Sequence, residues 1–517
     1  MQNNSIILSK YGAYALRSLL GDYLLQRLQQ MTKGALHTRV FQCLRDAILE
    51  DIFPPKTRLP SSRDLANELQ VSRNTILNAY EQLRAQGYIQ SITGSGTWVS
   101  DVLPERYLNV QHTKNRLKPY NPNEIKPLSK RGTTFLEKAA SSPYQWGAFV
   151  PGIPDVTAFP HLEFNKIQTK LSKQPDISHL IYSNDCGCLE LRQALAEYLQ
   201  VARSVRCDAD QIIITEGIHQ AIDFISRALC DSKDHVWIEE PGYWGARNIL
   251  HMNGLNIHPM TVDTEGITLD LHTPSPKLIF VTPSHQYPLG SHLSVSRRKQ
   301  LLEFARLHKS WIIEDDYDSE FRFSGQPFPS LQGLEENTPV IYMGTFSKTI
   351  YPALRIGYMV VPKSLTSGLK TIAAELYRGG HQLIQRALAE FIQSGQYAAH
   401  IRRMRILYAK RHAFLVDLIK RYLGPEFLHE FNHDAGLHLV LKLPSNADDV
   451  AITQLALTRG IKVRPLSRYF SKKQDQSSQG LLLGFACVTE KEMLVAFSIL
   501  KQCLKEHHIL PNIPQHQ

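Results

Sequence analysis

Gly344 to Thr349 reads GTFSKT, and Arg355 lies seven positions after Lys348. A lysine amine can condense with an aldehyde to an imine, while hydroxyls such as those of Thr345 and Ser347, with an arginine, can hold a phosphate. Three other short runs offer related chemistry. In TEGIHQA, Gly217 makes a turn before a helix starting at Ile218 or His219, whose free backbone N–H groups would face an anion. In EPGYWGAR, Tyr243 is placed to stack on a planar ligand or, equally, to fill a core. In EDDYDSEF, a carboxylate can pair with a protonated ring nitrogen and Tyr317 can reach a phenolate oxygen; the same run also suits a metal or a solvated acidic loop.

The elements that must position these residues are apolar strands separated by helical stretches. Strands are expected at 211–215, 235–239, 278–283, 311–316, 340–346 and 356–362, with helical patterns in GIHQAIDFISRALCD and SRRKQLLEFARLH. Short apolar strands alternating with helices predict an α/β unit whose parallel-rich sheet is covered on both faces. Ligands of such sheets bind beyond the carboxyl ends of the strands, which is where all four runs fall. Taken in series they meet the needs of pyridoxal 5′-phosphate: a lysine for the imine, a carboxylate at the pyridine nitrogen and a phosphate cradle.

The first hundred residues follow another plan. HTRVFQCLRDAILED carries Val40, Phe41, Leu44, Ile48 and Leu49 at the spacing of a helix with one buried face, and IFPPKTRLP stops it. Ser61 or Ser62 can cap a short helix, RDLANEL, and QVS leads into a third, RNTILNAYEQLRAQ. Two extended pieces follow, joined by ITGSG. Helix, turn, helix and a glycine-tipped hairpin describe a winged helix-turn-helix, a shape that serves DNA binding or a dimerising bundle. Ser72, Arg73, Asn74 and Thr75 open the third helix, where side chains reach base edges and phosphates. The run LPSSRDLA…VSRNT…AYEQL…GYI…GSGTWV resembles the DNA-binding domain of the GntR family of bacterial repressors over about residues 36–100. That resemblance implies DNA roles for Arg63, Arg73, Thr75 and Gly96.

Residues 102–142 read as a flexible linker between the two plans, basic enough to touch DNA phosphate as well as to tether. A net charge of +10 permits a polyanionic partner, although a chain of 517 residues can also spread it harmlessly. No stretch is apolar for the roughly 20 residues of a membrane span, and the start lacks the pattern of a secretory signal. Seven scattered cysteines form no disulfide framework, and the Cys186/Cys188 pair has no companion with metal-ligand spacing. A cytoplasmic protein without a metal site is expected.

The runs FVPGIPDVTAFP, EEPGYWGAR, VTPSHQYPLG, EDDYDSEFRF, GTFSKT…LRIGYMVVP and HIRRMR make residues 143–505 resemble a fold-type I aminotransferase, a pyridoxal-phosphate-dependent transferase. Joined to the GntR-type domain at 36–101, behind an extension at 1–35, the chain is similar to the MocR subfamily of GntR regulators. The resemblance implies that Lys348 carries the cofactor, Asp315 (in reserve Asp316) meets the pyridine nitrogen, Tyr317 the phenolic oxygen, and Tyr243 the ring. It assigns phosphate to Gly217, Ile218, His219, Thr345, Ser347 and Arg355. It further implies a homodimer on an operator in double-stranded DNA, sensing the cofactor, or an amine or amino acid joined to it, through the Lys348 imine. Two departures stand out. YPLG at Tyr287–Gly290 replaces the aminotransferase NPTG, removing an asparagine at the phenolic oxygen. Leu482 replaces the arginine that usually clamps a substrate carboxylate, with Arg464 and Arg468 as available substitutes. A regulator with at most weak transamination is expected; the alternative is a working aminotransferase.

Overall fold

A computed structural model describes residues 23–31, 34–92, 94–101, 128–137, 145–174, 176–183, 185–325, 328–431, 435–471 and 479–510. Most of the expected linker, with its basic run, lies outside the described residues. The chain divides into two compact units, Met1–Lys126 and Pro127–Gln517.

In the first unit, helix α1 (Leu36–Leu49) buries Val40, Phe41, Leu44 and Ile48 as its period dictates, together with Cys43 and Ala47. Leu49, expected on that face, sits at the last turn and is exposed. Helix α2 (Ser62–Glu68) is capped by Ser61, whose oxygen accepts from Asp64 N. Helix α3 (Arg73–Ala85) is capped in the same way by Ser72, which accepts from Thr75 N. Such caps satisfy backbone donors that a helix start leaves open. Strands β1 (Ile89–Ile92) and β2 (Gly96–Val99) pair antiparallel as the wing, and Leu59 N donates to Thr97 O on its other edge. Residues 23–30 are helical, and Leu24 is fully buried in this unit's core.

The second unit holds an eight-stranded sheet: β3 (Ile212–Thr215), β4 (His235–Glu240), β5 (Asn256–Asp263), β6 (Gly266–Ile267), β7 (Leu278–Val281), β8 (Trp311–Asp316), β9 (Val340–Thr345) and β10 (Gly357–Val360). Their spatial order is β3-β10-β9-β8-β7-β4-β5-β6. Neighbours from β9 through β5 run parallel, whereas β10 is antiparallel to both β9 and β3, so the sheet is mixed. Strand β5 escaped the sequence because polar residues and Pro259 interrupt it; only the two-residue β6 covers its outer edge, where a proline is tolerated. A second, antiparallel sheet has the order β11 (His438–Lys442), β13 (Gly480–Gly484), β12 (Arg464–Pro465).

Helix α4 (Ile218–Leu229) follows β3 and α5 (Trp244–Met252) follows β4, so both begin at the carboxyl edge of the sheet. The 27-residue helix α6 (Gln396–Tyr422) fastens three loops. His400 Nε2 contacts Thr349 O at 2.9 Å, and Arg405 Nε donates to Glu320 O at 2.9 Å. Tyr408 accepts from Asp155 N at 2.8 Å, while Arg411 Nη2 donates to Asp155 Oδ2 at 2.9 Å.

Candidate functional site

Where β3, β4, β8 and β9 end, a cavity of about 330 Å³ opens. Ile218, His219, Tyr243, Asp315, Tyr317, Thr345, Ser347, Lys348 and Arg355 all line it. Gly217 stands just behind, capping α4 at φ 88°. A Cβ on Gly217 would lie 3.1 Å from Arg355 Nη2, which donates to Glu216 O at 2.7 Å, so the glycine admits the guanidinium to the helix start. No side chain caps α4 and its first turn holds no acid. With Thr345, Ser347 and Arg355 beside it, this end of the cavity suits a phosphate.

Lys348 borders the same cavity. Its Nζ donates to Gly152 O at 2.7 Å, and burial lowers its pKa against the pull of Asp318 and Asp315. Asp315 is buried with Oδ1 unpartnered. Burial, and then the neighbouring Asp316 charge, pushes its carboxyl up to about 8. An unpaired buried acceptor beside a lysine fits a ligand that brings a protonated ring nitrogen. Together with the open helix start, the residues present fit pyridoxal phosphate.

Asp316 does not share this role. Successive strand residues face opposite ways, so Asp316 stays out of the cavity lining. Its Oδ2 is taken by Arg203 Nε and the Tyr342 hydroxyl, each at 2.6 Å, although its Oδ1 is unpartnered as in Asp315. Glu314, on the same face, accepts from the backbone of Leu331 and Gln332. The acidic run is therefore parcelled out, and among the described residues no cluster could hold a metal.

Tyr243 meets His219 Nε2 through its hydroxyl at 2.5 Å and stands edge-on to Tyr287, 5.8 Å between centroids. Burial lowers the His219 pKa and raises that of the Tyr243 phenol. Behind Tyr317 lie His285 and Asp318, which the sequence did not single out. Leu482 is fully buried in an apolar cluster and does not line the cavity, but its ladder partner Arg464 does, hydrogen-bonded to Tyr469. Arg468 is exposed and absent from the lining.

On the first unit, Arg63, Ser72, Arg73 and Asn74 are exposed and Thr75 is half-buried. The Ser72 and Thr75 hydroxyls bond each other at 2.8 Å, and Arg73 Nε reaches Ser62 Oγ at 3.4 Å. Gly96 is exposed at φ +107°, where a Cβ would stand 2.9 Å from Arg58 Nε. Arg58, exposed on the wing, is a further basic residue that the sequence did not flag.

Residues 36–99 match the model of the bacterial regulatory proteins, gntR family, and residues 168–499 that of aminotransferase class I and II. The chain is 39% identical over 468 residues to the "Probable rhizopine catabolism regulatory protein MocR" of Rhizobium meliloti, covering 90% of this chain and 93% of that one. The chain belongs to the MocR-type GntR transcriptional regulators. A second relative within this MocR-type group, the HTH-type pyridoxine biosynthesis transcriptional regulator PdxR of Corynebacterium glutamicum, is 30% identical over 451 residues, 87% of this chain and 92% of that one. The second unit has the fold of a multiple substrate aminotransferase from Thermococcus profundus, with a TM-score of 0.64 at 23% identity over 75% of this chain and 98% of that one. In this MocR-type chain a DNA-binding module and an aminotransferase-like, pyridoxal-phosphate-type fold therefore serve transcriptional regulation.

Proposed function

We propose that the second unit binds pyridoxal 5′-phosphate at Lys348 and uses it to sense the cofactor itself, or an amine or amino acid, so as to set how the first unit binds its operator. The observation that carries this reading is the buried, unpartnered Asp315 Oδ1 in one cavity with Lys348 and the open start of α4. When bound, the cofactor supplies an aldehyde that captures amines and a ring that withdraws electrons. Asp315 then holds the proton on the ring nitrogen and Tyr317 meets the phenolic oxygen. Tyr243 covers the ring, while Gly217, Ile218 and His219, with Thr345, Ser347 and Arg355, hold the phosphate. With Arg355 given to the phosphate, Arg464 is the lining arginine available for an effector carboxylate.

Arg63, Ser72, Arg73, Asn74 and Thr75 would contact DNA, with Gly96 letting the wing come close. A homodimer would present two such modules to two half-sites. Residues 36–101 form the DNA-binding domain and 143–505 the sensing domain, joined across 102–142. Leu482, buried where a carboxylate arginine is usual, favours ligand-driven redistribution of conformers over turnover. The retained Lys348, Asp315 and Tyr317 favour a second reading, a residual transaminase.

Footprinting of the DNA upstream of the protein's own gene and its divergent neighbour, with and without pyridoxal phosphate and amino acids, tests the regulator. A protected site whose occupancy responds to these ligands is expected. Sustained transamination at ordinary enzyme rates, with no ligand effect on protection, would sink the reading.

A further inference from the structure

The packing behind Tyr317 is more specific than filling space requires. The Tyr317 hydroxyl lies 3.0 Å from His285 Nδ1, and the same nitrogen lies 3.1 and 3.2 Å from the two carboxylate oxygens of Asp318. His285 and Asp318 are buried and neither lines the cavity. Gly436, at φ +78°, presses on the pair from the other side. A Cβ there would stand 2.7 Å from His285 Nδ1 and 2.9 Å from Asp318 Oδ2. The three groups are thus clamped in one arrangement.

One ring nitrogen facing both a carboxylate and a hydroxyl has one favourable protonation. A carboxylate only accepts, so a hydrogen on Nδ1 serves it, whereas a bare lone pair there would oppose oxygen lone pairs. With Nδ1–H in place, the Tyr317 oxygen can accept a share of that hydrogen but cannot donate its own back. Its hydroxyl hydrogen must point elsewhere, and the cavity is the space that Tyr317 borders. We infer that Asp318 and His285 are positioning residues that commit Tyr317 to donating its hydroxyl hydrogen into the cavity, making good the asparagine that Tyr287 has displaced. The inference rests on the cofactor reading, because the acceptor is the phenolic oxygen of pyridoxal phosphate.

The other titratable groups around this cluster are Asp315 and Glu239 at the strand ends, Lys348, Tyr287 edge-on to Tyr317, and His438 on β11. The His438 ring is 5.6 Å from that of His285, and burial pushes its pKa down to about 4, which leaves it neutral over the range of the test.

The test uses the full-length protein loaded with pyridoxal phosphate and follows the pH midpoint of its visible absorbance change. A hydrogen bond donated to the phenolic oxygen draws charge from it and weakens its hold on a neighbouring proton, so losing the bond raises the midpoint. Tyr317→Phe and His285→Leu should each raise it by about one to two pH units. Asp318→Asn should move it the same way, and His285→Asn, whose amide N–H can stand near Nδ1, should restore most of the original value. The double variant Tyr317→Phe with His285→Leu should move no further than Tyr317→Phe alone. An unchanged midpoint in His285→Leu while Tyr317→Phe shifts, or full additivity in the double variant, overturns the inference. If His285→Leu does not fold, an unchanged midpoint in Asp318→Asn overturns it instead. A loaded wild-type protein with no visible band refutes the cofactor reading itself, and this inference with it.

Discussion

The winged helix and the cavity both hold polar groups in reserve for a partner, yet under opposite conditions. Arg63, Arg73 and Asn74 stand in water, and Arg73 makes a long contact to Ser62. Solvent satisfies such groups until DNA arrives, so holding them ready costs the fold little. Asp315 and Lys348 wait in a desolvated space, one pushed up and the other pulled down from its ordinary pKa by burial. Readiness there is held against the stability of the unit, because an unpaired buried charge is costly. The two regions should therefore respond differently to substitution and to pH.

The largest expected effect separates them outright. Lys348→Ala should abolish the visible band formed with pyridoxal phosphate while the protein still folds and, without ligand, still binds its operator. A persisting band in a spectrophotometric titration would show that another group holds the cofactor. Next, Arg73→Ala should weaken operator binding by about tenfold to a hundredfold, read by fluorescence anisotropy, and leave the band intact. Equal affinity in the variant would mean that α3 is not the reading helix.

The smallest effect is on pH dependence. Asp315 has its carboxyl raised to about 8, and Glu239, Glu314 and Glu320 are raised to about 7. For acids raised on folding, stability is full below the unfolded value near 4 and is lost as pH rises through the folded value. The melting temperature of the cofactor-free protein should therefore fall between about pH 6.5 and 8.5, above the range in which His400 and His438, both pushed down to about 4 by burial, oppose the trend. Asp315→Asn should flatten the upper part of that fall. An identical slope in the variant would remove Asp315 as a source of the strain.

How much could be read in advance follows the same division. The winged helix is local in sequence: caps at Ser61 and Ser72, the α1 period and the glycine-tipped hairpin all lie within short windows, and only Leu49 at a helix end misled. The strand ends of the second unit were legible for the same reason. The choice between Asp315 and Asp316 was not, since it depends on which face of β8 meets the cavity and on Arg203 arriving from 113 residues away. His285 and Asp318 are 33 residues apart and meet only because β7 and β8 pair side by side. Arg464 gains its place from pairing with Leu482 across a short antiparallel ladder that no local pattern announces.

Helix α6 gives the cavity a mechanical property that its lining residues alone would not. His400 grips the residue after Lys348, Arg405 the loop that follows Asp315 and Tyr317, and Tyr408 with Arg411 the loop beyond Gly152. These walls hang from one rod about 40 Å long. A wall cannot drift alone without breaking its tie, so a slide or roll of the rod carries all of them together. Those three wall segments then share one coordinate, and gauges at Lys348, Tyr317 and Gly152 should read the same displacement.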